Sequence, residues 1–485
     1  MVATSLGADA SGDASGRYDV VVVGGGPVGL TLSIALSNLG VRHAVVERDP
    51  APHPLPRAIL MDAETRRSLN QLGLQPQLDP LLTPITSAEY VDVNGSRLAG
   101  DDLVGRPVHG GLPRSCAHYQ PELDALLEAE CLARGATLRR GVRCVGVTST
   151  DGGVSVSLDD GHSLSARYLV GCDGASSTVR RALGVGWTDQ GFDQDWLVVD
   201  IELRDPIGLG LTTGAQQVCD PARPATLVAG HERMFRWEFQ LQPGEDPAVM
   251  QQPEQVWGLL DRWIGRDDGR LVRAASYRFH AVVATSMREG SVLLAGDAAH
   301  QMPPFMGQGL NSGMRDATNL AWKLRWVLAG WAGEALLDTY SAERLEHATA
   351  VVHQSIDAGR LIDQFAGRES HGLAPGAGYG SNRDRPRYRC GVVVGDHSRV
   401  GTPFMEWHAV APRVPVGPEM VVVSATPSPQ SVAGMPGRWV AAHLDRASLF
   451  GADHVVVRPD GYVAAVCSDA DLRATLDELV RRLHA

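Results

Sequence analysis

Lysine is almost missing from this 485-residue chain: Lys323 is the only one, and arginine supplies every other basic side chain. That scarcity reads as GC-rich coding bias more than as chemistry. Cations are also outnumbered, with Lys+Arg 44 against Asp+Glu 56 and a formal net charge of −12. No basic stripe stands out, which excludes nucleic acid and an anionic membrane surface as main partners. The seven cysteines are odd in number, scattered, and without CxxC or metal-like pairing. This argues against a disulfide framework and a metal site, and it fits a reducing cytoplasm. No apolar run approaches the roughly 18–20 residues that span a bilayer. Residues 1–16 are Ser/Gly/Ala/Asp-rich and lack a basic n-region and an apolar h-region, so they read as a disordered leader. The expectation is a cytoplasmic protein. No internal repeat is present.

What remains is a chain long enough for about two to four domains. It opens on "YDVVVVGGGPVGLTLSIALSNLG": an apolar strand, Val20–Val23, then a glycine turn and a helix closed by Gly40. "HAVVER" reads as a second strand, and "VSVSLDDGHSLSARYLVGCDG" as a hairpin feeding a third. From about 187 to 285 tryptophans and alternating runs such as "MFRWEFQLQ" and "ASYRFHAVVA" indicate a mostly antiparallel sheet. The α/β pattern then resumes with "SVLLAGDAAH" and a helix over 310–328. Residues 366–398, rich in Gly, Arg and Pro, read as a linker. The tail ends in a hairpin with a Pro-Asp-Gly turn and an amphipathic helix opened by Ser468.

Three motifs carry chemistry. Gly24-x-Gly26-Pro27-Val28-Gly29 lies between a strand and a helix, where the first glycine permits a tight turn. The second lets a pyrophosphate approach the backbone, and the third lets helix and strand pack closely. Glu47, followed by Arg48, ends the next strand 23 residues after Gly24, near the spacing of a carboxylate that grips ribose hydroxyls. The second motif, "VGCDGASSTVRRALG", places Asp173 after an apolar strand. It serves a phosphate-bearing cofactor or acts as a helix N-cap, with Arg180 on a solvated face.

The third is "GDAAHQMPPFMGQG". Gly296-Asp297 follows a strand, Pro303-Pro304 stiffen the chain, and Gly307 and Gly309 let backbone approach a flat ligand. The helix start at Leu310 and Asn311 then aims unsatisfied amides back at that ligand. Taken alone, this run also reads as a stiff connection with Asp297 as a cap.

Together, in this order and spacing, the motifs resemble the FAD-dependent aromatic hydroxylases, the class A flavoprotein monooxygenases, from about Tyr18 to Ile362. Within them the likeness is to the 3-(3-hydroxyphenyl)propionate hydroxylase group, carried by "PRAILMDAETRRSLNQLGL", "RWEFQLQPGE" and "GDAAHQMPPFMGQGLNSGMRDATNLAWKLRWVLAG". The resemblance implies an α/β fold: a Rossmann-like FAD-binding domain over 17–186 and 286–365, interrupted by a β-sheet substrate domain over 187–285. A thioredoxin-like module over 399–485 would follow the linker; without CxxC, its role would be packing or dimerisation, giving a homodimer.

The resemblance further implies that Gly24, Gly26, Gly29 and Glu47 bind the adenosine half of FAD. Asp173 would serve FAD and NADPH, and Asp297 the ribityl chain. It also points to Arg57, in "PRA", and to Gln120 as cofactor residues. NADPH or NADH would reduce FAD, and O2 would give a C4a-hydroperoxide that hydroxylates a phenolic substrate. The same chemistry could serve ring opening or a Baeyer–Villiger-type oxygenation, and a non-catalytic flavin-binding module is a third reading. Pro304 would wall the peroxide site, and amides over Gly309–Asn311 would stabilise charge on the flavin, worth about 3 kcal/mol by analogy with oxyanion donors. His300 reads as structural support more than as an acid or base. Arg236 and Arg278 are the candidates to meet a substrate carboxylate. Trp196, Trp237 and Tyr277 could line a pocket or fill the core. No residue in the sequence presents itself as the base that ionises a phenol.

Overall fold

The computed structural model describes residues 17–105, 111–211, 213–374, 387–404, 419–426, 432, 435 and 438–484. The expected leader, 1–16, lies outside them.

Val20–Val23 form the buried end of strand β1 (Tyr18–Val23). An unbroken apolar run is what a strand covered on both faces requires. Helix α1 (Pro27–Asn38) opens on Pro27, whose missing N–H is tolerated in a first helical turn. Strand β2 (His43–Glu47) pairs in parallel with β1. Next come α2 (Ala63–Gln71), strand β3 (Ser87–Val91) and α3 (Gln120–Ala133). Strand β4 (Ser163–Gly171) flanks the other side of β1, again in parallel, and is the far arm of a hairpin with Gly153–Leu158.

After the short helix α4 (Thr178–Ala182) the chain leaves this sheet. It builds β5 (Trp187–Leu203), β6 (Ala215–Val218), β7 (Ala225–Ala229), β8 (Met234–Gln240) and β9 (Gly269–Ala284). Neighbours in this group pair antiparallel. The sheet is wider than the 187–285 insertion expected from sequence. β3 adds to it in parallel with β6, Arg97–Asp102 pairs with β3, and His300–Gln301 pairs with β9. All five residues of β3 are buried, and its register comes from β6.

The chain returns through β10 (Val292–Leu294), parallel to β4, into α5 (Gln308–Leu328) and the 31-residue α6 (Ala335–Phe365). Phe235, Trp237 and Phe239 on one face of β8 pack with Leu197, Val199 and Ile201 and with Val256 and Leu260 of a covering helix. The opposite face, with Asp200, Arg236 and Glu238, turns toward the first sheet and its loops.

The tail forms a four-stranded mixed sheet. Strand β11 (Met420–Ser424) lies between Trp439–His443 and β12 (His454–Val457), and β13 (Val463–Cys467) forms the edge. Helix α7 (Leu472–His484) buries Leu476, Leu479 and Leu483. The stretch expected to be a linker is partly core: Tyr388, Val392 and Val393 are buried, and the Tyr388 ring lies 4.4 Å from that of Tyr462. Gly, Arg and Pro around these three residues hide them from a composition-based reading.

Candidate active site

Three loops at the carboxyl ends of β1, β4 and β10 converge, the position where open parallel sheets hold ligands. In the first, Gly24 has φ +111°, and a Cβ there would meet the Cys172 carbonyl oxygen at 2.2 Å. A Cβ on Gly29 would meet the Gly24 oxygen at 2.0 Å. The protein's own packing requires both glycines. Gly26 is different, because a Cβ there meets nothing within 4 Å. Pro27 and Val28 are half-buried, and Val28 wedges against Gly296 and Gly313 of the third loop and its helix. Glu47 accepts from Gly25 N at 2.6 Å and from Asp49 N at 2.8 Å, which fixes its carboxylate under the glycine turn. Arg48 is exposed, 3.9 Å from the Asp49 carboxylate.

The second loop favours the capping alternative. Asp173 accepts from the Ser177 hydroxyl and from Thr178 N and Val179 N, at 2.7 and 3.1 Å for the amides, closing the start of α4. Arg180 is buried, not solvated: it lies 3.9 Å from the Trp187 ring centroid and donates to Ala298 O at 3.4 Å. It therefore ties the second loop to the third.

In the third loop Gly296 has φ +63° and donates its N–H to Asp316 on α5 at 2.8 Å. Asp316 also meets His300 Nε2 at 2.7 Å and accepts from Arg344 Nε at 2.6 Å, all three side chains at 0% exposure. Burial alone would raise the Asp316 carboxyl, yet His300 and Arg344 hold it at about 2. His300 is thus an anchor for the loop. Asp297 points the other way: its side chain is exposed, and among the described residues no protein donor meets it. Burial still pushes its carboxyl up, against the pull of His300 and Arg57. A group crowded by protein yet open to solvent on one side lies in a cleft.

The following segment runs from Pro303-Pro304 to Phe305, whose ring packs 5.1 Å from Trp196 and 5.8 Å from Phe192. Gly307 has φ +61° with Leu60 beneath it, whereas Gly309 faces nothing within 4 Å. Helix α5 begins at Gln308, two residues earlier than the sequence pattern indicates. Leu310 packs partly buried against a cluster holding Leu30, Leu69 and Met314. The Asn311 side chain turns inward, accepting from Asp62 N at 3.0 Å and donating to Leu60 O at 3.1 Å. That side chain is therefore taken up by the Leu60–Asp62 segment.

Arg57 is exposed, close enough to Asp297 and Asp124 to act on both. Gln120 is buried, and its amide oxygen accepts from Arg57 N and Ala58 N, so it holds the arginine's loop and does not face the cleft. Arg236 does the same from the second sheet, donating to Arg57 O at 2.7 Å while pairing with Asp200 at 2.7 Å. It is therefore not available for a substrate carboxylate. Arg278 is 61% exposed and paired with Asp193, on the outer surface. The antiparallel pairing of β5 with β9 puts Asp193 and Asp195 on the strand beside it. Trp237 is core and Tyr277 is surface, while Trp196 supports Phe305.

A cavity of about 140 Å3 adjoins the glycine turn at Leu60 and Gln308, and Ile85, Met306, Arg315 and His347 also line it. Arg315 pairs with Asp62 and Glu64. Asp316, Arg344 and Arg315 escaped the motif reading; the signal for Asp316 is an aspartate inside a long helix, where its intrinsic propensity is poor. Among the described residues no cluster of three metal-ligating side chains occurs, and no helix is long and apolar enough to cross a membrane.

A family model described as an FAD binding domain matches residues 17–355. A probable NADH-specific resorcinol 4-hydroxylase of Rhodococcus jostii (strain RHA1) is 34% identical over 95% of this chain and 94% of its own length. The chain belongs to the FAD-dependent aromatic hydroxylases. A second member, a 3-(3-hydroxy-phenyl)propionate/3-hydroxycinnamic acid hydroxylase of Mycobacterium sp. (strain KMS), is 38% identical over 73% of this chain and 61% of its own length. Among solved structures, a ternary complex of aklavinone-11 hydroxylase with FAD and aklavinone superposes with a TM-score of 0.78 at 26% identity, covering 96% of this chain and 98% of that one.

FAD fits the residues this hydroxylase presents. Gly26 and Gly309 are glycines that the protein's own packing does not demand, at the two places where a cofactor's pyrophosphate and ring would approach backbone. On the loop after β10, Asp297 offers a carboxylate that meets no protein donor among the described residues, suited to polyol hydroxyls.

Proposed function

We propose that the enzyme places one oxygen atom of O2 on the ring of a small phenol, with NADH or NADPH as reductant. Bound FAD would supply hydride acceptance and oxygen activation. The chain's own residues bind, orient and exclude water. Gly24, Gly26 and the first amides of α1 take the pyrophosphate, and Glu47 takes the adenosine ribose. Asp297 takes the ribityl hydroxyls, held in place from behind by Gly296, Asp316, His300 and Arg344. Backbone amides at the start of α5, over Gly309–Asn311, would stabilise negative charge on the bound flavin. Arg57, positioned by Gln120 and Arg236, supplies positive charge at the cleft. Pro303-Pro304 lack amide donors, and Phe305 pins them against the second sheet, which suits a wall that keeps water out.

The carrying observation is Asp297, an exposed carboxylate that meets no protein donor among the described residues, together with Gly26 and Gly309, where a Cβ would meet nothing within 4 Å. The test is NADH and NADPH oxidation by the FAD-loaded enzyme over a panel of phenol, resorcinol and 3-(3-hydroxyphenyl)propionate, with mass detection of product. Stimulated oxidation with a product one oxygen heavier supports the reading, and no hydroxylated product from any of the three contradicts it.

A further inference from the structure

Glu238 stands two residues beyond Arg236 on β8, so both side chains leave the same face of the sheet. That face meets the FAD fold at two points. Arg236 reaches the carbonyls of Pro56 and Arg57. On β6, Gln217 donates to Phe305 O at 3.5 Å, and it accepts from Thr226 of β7 at 2.6 Å. Thr226 is the cross-strand partner of Glu238. Glu238 therefore sits between the residue that holds the Arg57 loop and the pair that holds the carbonyl following the diproline.

Its surroundings set it apart. Glu238 is 5% exposed, and among the described residues no hydrogen-bond donor meets its carboxylate. Every other buried carboxylate of the described residues receives a donor: Asp200 from Arg236, Asp316 from Arg344 and Glu343 from Arg458 are examples. A buried carboxylate that no protein donor meets is costly, and a catalytic role is one reason a native protein keeps such a group. The charged groups facing it are Arg236 on its own strand, Asp200 on β5 and Arg273 on β9. Both arginines are already paired with Asp200, so they moderate the charge on Glu238 without bonding to it.

Resting on the phenol-hydroxylating reading above, we propose that Glu238 accepts the hydroxyl proton of the substrate phenol and is the catalytic base of the reaction. The phenol O–H bond breaks and an O–H bond forms on the Glu238 carboxylate. The electron pair stays on the phenolic oxygen and enriches the ring carbons ortho and para to it. No oxidant takes part in this step, and Arg236 and Arg273 offset the negative charge that moves to the phenolate. Burial raises the Glu238 carboxyl, against the pull of Arg236.

The test compares wild type, Glu238→Gln and Glu238→Asp as FAD-loaded enzymes, using whichever of phenol, resorcinol and 3-(3-hydroxyphenyl)propionate the wild type hydroxylates fastest. In Glu238→Gln the hydroxylation rate at neutral pH falls by about a hundredfold, the scale of a positioned base. KM changes far less than kcat, and the rate recovers as pH approaches the phenol's own pKa, about 10. Glu238→Asp regains part of the loss. An unchanged rate and pH profile in Glu238→Gln overturns the proposal while the hydroxylase reading stands. Equal loss of bound FAD in Glu238→Gln and Glu238→Asp makes the residue structural and also overturns it. Absence of hydroxylation by wild type with all three phenols removes both readings together.

Discussion

Arg458, on the turn of the C-terminal hairpin, donates from both terminal nitrogens to the carboxylate of Glu343 on α6, at 2.9 Å each, with both side chains at 0% exposure. Glu343 also accepts from Lys323 at 2.8 Å and from Asn319 at 2.9 Å, both on α5. The next residue of α6, Arg344, holds Asp316 and through it the Gly296-Asp297 loop. On the same hairpin turn Tyr462 donates to Glu64, the partner of Arg315. The tail is thus joined by buried charge to the two helices behind the flavin cleft.

Arg458→Met leaves Glu343 short of a cation and takes from Asp460 its paired guanidinium, leaving it the Asn319 amide and the Tyr462 N–H. Removing one member of a buried ion pair costs about 3–5 kcal/mol. Urea unfolding of the full chain should show that loss, together with weaker FAD retention. A change under about 1 kcal/mol would mean that Lys323 and Asn319 satisfy Glu343 alone.

The two kinds of glycine in the first loop separate folding from binding. Gly26→Ala adds a methyl where nothing lies within 4 Å, so the apoprotein should keep its melting temperature and lose FAD affinity. Gly29→Ala places that methyl 2.0 Å from the Gly24 oxygen, so it should lower the melting temperature even without FAD. Apoprotein melting curves and FAD titrations decide. Unchanged FAD affinity in Gly26→Ala would remove the pyrophosphate from this turn.

Acid should weaken the fold in two stages. Burial lowers the imidazoles of His43, His118 and His347, His118 to about 3. The unfolded chain takes up those protons near pH 6.5, so stability is complete above that value and declines as pH falls toward 3. Asp316 and Glu343, both held at about 2, act in the same direction below the ordinary carboxylate range, since their stabilisation is lost as they are protonated. Urea midpoints taken across this range should fall from about pH 6.5 downward. A flat midpoint to about pH 4.5 would show that the three histidines are not buried as neutral groups.

The glycine turn was readable in the sequence because its constraints are local. A tight turn forces Gly24, and close packing forces Gly29. Residues fixed by long-range contacts were not readable. Arg236 looked like a substrate ligand because β-strand alternation gives its face but not its partner, and the partner, Asp200, comes from the neighbouring strand. Asp316 stands 19 residues after Asp297, and only the packing of α5 brings it behind the loop. Strand β3 was missed because its pairing partner, β6, follows more than a hundred residues later. Glu238 lies within "RWEFQLQPGE", yet its meaning depends on having no donor among the described residues, which no pattern of letters reveals.

The most direct measurement follows the fate of oxygen. The FAD-loaded enzyme is given NADH or NADPH, heavy-isotope O2 and each phenol of the panel, and the products are weighed. The account predicts a hydroxylated ring carrying one labelled oxygen atom, formed only when enzyme, reductant and phenol are all present. Reduced nicotinamide consumed with all three phenols, yet no labelled ring product, would contradict it.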